Sequence, residues 1–285
     1  LFEDKNGKKQ VVDGRQRISA ILDFLEGKFK LNNLRILKQF NGCCFADLDL
    51  KQQGVIEDFQ LLFYIIQPPT PERVKYDIFD RVNRGGTPLN KQEMRNALYR
   101  GRCTRMLDKL CCSPEFLIAT GRSINKERMK DQYVVLRAMA FLMLHRGEFK
   151  DIPALQYRGD IDDFLARFMV YVNDNAPEKL IVDYENLFIR CMQISYDLLG
   201  ENGFRFSGNG IRRPINMPLF EALSYLFSFV PEKIDYTCAS RLILDIESVK
   251  EEFDDSRYFS GNIDSTTSVS FRFDRMDKII NRIQL

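Results

Sequence analysis

Apolar residues recur at helical spacing through 103–118, 131–146, 160–172, 180–199, 215–229, 239–253 and 274–283. Each run lays its apolar positions along one face of a 3.6-residue period, which predicts a succession of amphipathic helices. Gly, Pro and Asn gather between them, as in Gly200-Glu201-Asn202-Gly203 and Ser207-Gly208-Asn209-Gly210. The first hundred residues are patterned differently. Val11-Val12 is a short apolar run ending at Asp13-Gly14, and apolar positions 18, 21, 22 and 25 then trace a helix face closed by Gly27. Leu61 to Ile66 is a continuous apolar run bounded by Gln67-Pro68-Pro69, the pattern of a buried strand. Thr70 and Pro71 open a further helix that runs to about Asn83 and stops at Gly85-Gly86. Asn90 with Glu93 three residues on is a capping-box pattern for the next. The expected class is therefore α+β: a small α/β lobe over residues 1–95, followed by a larger all-helical lobe over 96–285.

Composition narrows the function classes. At 285 residues, with 45% hydrophobic and 29% charged, the chain falls in the globular range and not among disordered, fibrous or disulfide-knotted proteins. The longest apolar runs, Ala138–Leu144 and Met217–Val230, are too short or too interrupted to cross a bilayer. No signal peptide opens the chain, and a cytoplasmic protein is expected. The sequence begins at Leu1 and not at Met, so an upstream segment is expected. Forty-two basic residues against forty acidic ones are too balanced to imply nucleic acid by themselves. The adjacent pairs Cys43-Cys44 and Cys111-Cys112 fit no metal-ligand spacing, and reduced thiols are expected.

His145 is the single histidine. A nuclease that holds its metal with several imidazoles is thereby excluded from this chain alone. His145 closes the nearly apolar run from Val134, where a helix C-terminus favours positive charge, and it is expected to have no catalytic role. Arg137 inside the same run is expected to pair with a carboxylate, since buried arginines rarely stand alone.

The densest chemistry lies in Val11-Val12-Asp13-Gly14-Arg15-Gln16-Arg17-Ile18. A strand turning through Asp-Gly into a helix leaves backbone N–H groups at the helix start, which favour an anion. Arg15 and Arg17 add guanidinium forks for phosphate oxygens, Asp13 offers a hard oxygen to a divalent cation, and Gln16 can orient water. The same spacing also suits a plain helix start, with Asp13 as N-cap and Arg17 as its i,i+4 partner. Arg17 shares a stripe with Ile21 and Phe24, which predicts half-burial. Spacing alone leaves both readings open. A second stretch runs from Phe79 to Leu89, and residues 81–109 hold eight basic residues against two acidic ones. That density suits a phosphate backbone, and equally a solvated helix end.

Asp13-Gly14-Arg15-Gln16-Arg17 resembles the D-G-Q-Q-R signature of the GmrSD-type restriction proteins. Phe79, Arg81, Asn83, Gly86 and Leu89 are similar to that family's F-x-R-x-N-x-x-G-x-x-L segment. Arg128-Met129, Asp131, Leu136-Arg137, Arg213-Pro214-Ile215-Asn216 and Ser265-Thr266-Thr267-Ser268 extend the likeness along most of the chain. The resemblance implies a ParB/sulfiredoxin-like N-terminal lobe and a DNA-sensing, nucleoside-triphosphate-hydrolysing component of a prokaryotic anti-phage or restriction system. It implies magnesium and a nucleoside triphosphate as cofactors, with Asp13, Gln16 and Arg17 catalytic and Asp13 the metal ligand. Gly14, Arg15, Arg81 and Asn83 are expected at the nucleotide phosphates, and Arg84, Arg95, Arg100 and Arg102 on DNA. DNA, including modified phage DNA, is the expected partner, with any cutting left to a separate nuclease chain and no membrane involved.

Two departures bear on activity. Arg15 stands where the family has Gln, and only ten residues precede Val11 where the family has an upstream strand-helix segment. Both favour an alternative, a catalytically inactive DNA- or partner-binding module of the same fold.

Overall fold

The computed structural model describes residues 1–3, 7, 9–11, 13–67, 69–70, 72–82, 89–206, 212–231, 234–259 and 261–283. The chain divides into two compact units, Leu1–Pro88 and Leu89–Leu285.

The first unit is thinly packed. Strands β1 (Phe2–Glu3) and β2 (Lys9–Gln10) pair antiparallel, with Phe2 opposite Gln10. Helices α1 (Arg15–Leu25), α2 (Leu50–Glu57) and α3 (Glu72–Val82) follow. Helix α1 ends as its pattern predicts: Gly27 takes a left-handed φ of 70°, and its N–H donates to the Phe24 carbonyl. Asp49 and Gln52 form a capping box that starts α2. Leu61–Ile66 departs from the expected buried strand. Only Ile66 makes a bridge, parallel to Phe2, and Leu62 and Tyr64 are each 80% exposed. A strand is buried by neighbours on both sides and a layer over its face, and β1 supplies a single rung of pairing. Among the described residues of this unit, Phe2, Phe24, Leu48 and Phe79 are the buried hydrophobics. The described residues thus carry little strand.

The second unit is all helical among its described residues. It comprises α4 (Lys91–Leu98), α5 (Arg102–Cys111), α6 (Pro114–Ala119), α7 (Lys130–His145), α8 (Ile161–Asp174), α9 (Glu178–Leu199), α10 (Met217–Phe227), α11 (Tyr236–Asp255) and α12 (Thr266–Ile283). The capping box at Asn90 and Glu93 forms as predicted: the Asn90 side chain accepts from the Gln92 and Glu93 N–H groups, and Glu93 accepts from the Asn90 N–H. The run 103–118 is one helix in the periodicity and two in the structure, because Ser113 caps a new start with Pro114 behind it. Helices α7 and α10 are buried nearly all round, the pattern of helices inside a larger core. They pack on each other, α10 against α9 and α12, and α7 against α5.

Arg137 finds the carboxylate that its burial required. Its Nε donates to Glu221 on α10, and its Nη2 donates to Asp264 at 2.6 Å. Arg272 on α12 donates to the other Glu221 oxygen at 3.1 Å. Glu221, Arg137 and Arg272 are all buried, so three helices meet on one carboxylate. Two stretches that look familiar by sequence have plain structural roles here. Asn216 caps α10, and the Ser265 hydroxyl accepts from the Ser268 N–H at the start of α12.

His145 ends α7, as expected, but in the opposite charge state to the one its helix position favours. Its ring stacks on Phe273 at 3.6 Å and 9°, and its buried Nε2 has no hydrogen-bond partner among the described residues. Burial, with Arg272 nearby, pushes its pKa down from 6.5 to about 4. The unfolded chain therefore binds the proton first. Stability is full above pH 6.5 and is lost as pH falls through the window to about 4. The loss attributable to this ring is on the order of 3 kcal/mol. Urea unfolding at pH 7 and pH 4.5 is expected to show a steeper loss in the wild type than in His145→Phe, which keeps the stack without the proton. Equal losses would remove His145 as the cause.

Among the described residues, no helix is long and apolar enough to cross a membrane.

Candidate functional site

The start of α1 is shaped by Gly14. Its φ of 84° and ψ of 6° lie in the left-handed region, which a side chain makes costly. No side chain caps the helix there. Asp13 thus fulfils one half of the plain structural reading and not the other: it pairs with Arg17 but caps nothing. The Arg17 Nη2 donates to Asp13 Oδ2 at 2.6 Å. Among the described residues the Ile18 N–H is the first of α1 to reach back, to the Gly14 carbonyl, and the opening N–H groups of a helix favour an anion.

Arg17 is not half-buried as its stripe implied. Its side chain is 76% exposed and that of Asp13 46%, because Phe24 alone among the residues of α1 reaches the core of this thin unit. An ion pair so exposed holds little folding energy, about 0–1 kcal/mol. Its placement matters more. Asp13, Gly14 and Arg17 line a cavity of about 460 Å³ within the first unit, a volume in the range of small-molecule sites. The rest of the described wall is mostly apolar: Leu1, then Ile18 and Ile21 from α1, Leu61–Tyr64 and Ile66 from the segment between α2 and α3, and Ile78 from α3.

The structure sorts the remaining expected residues. Arg15 and Gln16 are exposed on the first turn of α1, beside the cavity residues in sequence. Arg81 is exposed on α3, three positions after Ile78 and so on the same helix face. Asn83 and Arg84 lie outside the described residues. Arg95 does not present its charge to a phosphate backbone. It is 1% exposed, donates to Asp162 at 2.7 Å and to Gln92 at 3.1 Å, and lies over the Tyr133 ring. Periodicity hid this, since Arg95 falls one residue after the buried Met94 on a short helix. Arg102 is half-buried and tied to Glu178 at 2.8 Å and to the Ala176 carbonyl. Arg100 is exposed.

The apolar wall was not read as part of a site. Its signal was present as the run Leu61–Ile66, but an apolar run is first of all a core signal.

A magnesium ion implied by the resemblance meets one carboxylate here. Among the described residues no three His, Cys, Asp or Glu side chains gather to hold a metal. Magnesium is commonly held by one or two carboxylates together with substrate phosphates, so Asp13 suits an ion that arrives on a triphosphate. It does not suit an all-protein metal cage.

No curated protein and no solved structure matches the chain. Residues 1–100 match the family model described as GmrSD restriction endonuclease, N-terminal domain. The match takes in the Asp13 loop, the whole cavity wall and α4. Over its first hundred residues the chain is therefore similar to the N-terminal domain of GmrSD restriction endonucleases.

Proposed function

We propose that the first unit is a ParB/sulfiredoxin-like nucleoside triphosphatase module, and that the chain is a DNA-sensing component of a prokaryotic restriction or anti-phage system. The observation that carries this reading is the joint placement of Asp13, Gly14 and Arg17 on the cavity wall at the open start of α1. Phosphate transfer to water needs little covalent chemistry from a protein, and positioning with charge neutralisation contributes most of the rate. Arg17 and Arg15 supply the cations, and the uncapped α1 N–H groups supply fixed donors for phosphate oxygens. Gln16, exposed on the same turn, orients the attacking water. Asp13 holds the magnesium ion of the nucleotide, which when bound neutralises charge on the terminal phosphates. Arg81 flanks the phosphates. DNA, including modified phage DNA, is sensed by the same chain, and cutting belongs to a separate nuclease chain.

Phosphate release from nucleoside triphosphates with magnesium tests this, with and without DNA. Turnover is expected, and its stimulation by DNA identifies the sensor. A folded chain without turnover under either condition would overturn the reading.

A second reading is favoured by the Asp13–Arg17 pair, which engages the carboxylate and the guanidinium with each other. In it the module binds DNA or a protein partner without hydrolysis. DNA affinity would then fall steeply with salt and rest on exposed arginines such as Arg81 and Arg100, not on Arg95.

A further inference from the structure

The cavity beside Asp13 has two chemically different ends. Asp13 and Arg17 stand at the start of α1, while Ile18 and Ile21 continue along the same helix. With a rise of 1.5 Å per residue, Ile21 lies about 6 Å beyond Arg17 along the axis. The same cavity is also lined by Leu62, Phe63, Tyr64 and Ile78. Apart from Asp13, Arg17 and the Tyr64 hydroxyl, the described side chains on this wall carry no polar group. A ligand that fits is anionic at one end and a flat, largely apolar-faced ring at the other. The charge matches at the anionic end, since the cavity-lining Arg17 is exposed.

We infer that this cavity holds the base of the nucleotide by contact with its faces and does not discriminate among the four bases. The inference rests on the nucleotide reading above and adds what that reading leaves open, the basis of base recognition. Strong discrimination between bases requires fixed polar groups that the wrong base leaves unpaired. Apolar and aromatic walls act on the faces, which all bases share, and their contribution is tolerant of base identity.

Calorimetric titration of the full chain tests the inference. The ligands are the β,γ-imido analogues of ATP, GTP, CTP and UTP, and inorganic triphosphate, all with magnesium. The four analogues are expected to bind within about threefold of one another, and triphosphate about ten- to a hundredfold more weakly. Phe63→Ala is expected to weaken all four analogues alike and to leave triphosphate unchanged. Phe63 is 46% exposed, so the fold tolerates the change, and Leu62→Asn at an 80% exposed position is the second variant. A preference of tenfold or more for one base would overturn the inference and leave the nucleotide reading standing. Triphosphate binding as tightly as the analogues would also overturn it and leave a bare phosphate site. If none of the five binds, the nucleotide reading falls and the inference with it.

Discussion

Replacing Glu221 with alanine is expected to lower the unfolding free energy of the second unit by about 3–5 kcal/mol. Glu221 is fully buried on α10 and accepts from Arg137 on α7 and Arg272 on α12. Taking the carboxylate away leaves two guanidinium groups in a dry core facing one partly exposed carboxylate, Asp264. Arginine does not escape by losing its proton, so the cost falls on the fold. Arg272 already has a buried Nε without a partner among the described residues, and its other nitrogens donate to Glu221 and the Ile263 carbonyl. Glu221→Gln keeps the shape and one acceptor oxygen but not the charge, and its loss is expected to be intermediate. Urea unfolding followed by circular dichroism measures both. A loss below about 1 kcal/mol in Glu221→Ala would mean that apolar packing alone joins α7, α10 and α12.

The contrast between the two units explains what was legible in the sequence. In the second unit the helical period is set by burial against many neighbours, so runs such as 131–146 and 180–199 fall on α7 and α9 to within two residues. The need of Arg137 for a carboxylate was legible too, because a buried charge must be paired. The identity of that carboxylate was not, since Glu221 lies 84 residues away and only tertiary contact selects it. Arg95 failed for the same reason: its charge suggested a surface role, and the fold buries it on Asp162. In the first unit packing is sparse and pattern loses its meaning. Leu50 and Val55 on α2 are exposed, and no apolar face announced that helix. The run Leu61–Ile66 carried a strong signal that the structure spends on a cavity wall and not on a sheet interior. His145 shows burial overruling a local rule, since the helix dipole favours the cation, while desolvation, with Arg272 nearby, disfavours it.

Asp13→Ala is expected to reduce nucleotide turnover at least about a hundredfold while leaving the fold unchanged. The two halves of that expectation come from different facts. Asp13 is nearly half exposed and its pair with Arg17 lies in solvent, so removal costs about 1 kcal/mol at most. Its place on the cavity wall, at the open start of α1, is where a magnesium-bound triphosphate would be held. Asp13→Asn separates a structural from a chemical role. The amide oxygen still accepts from Arg17, so a role confined to the ion pair would be restored in large part. A role at the metal would not, because the amide lacks the charge that magnesium prefers, and Asn would be nearly as inactive as Ala. Arg17→Ala is expected to lose turnover as well, through the phosphate contacts, with unfolding again little changed. Phosphate release and circular dichroism on the same preparations read both effects. Unchanged turnover in Asp13→Ala would remove the Asp13 loop from the chemistry and leave the binding-only reading to account for it.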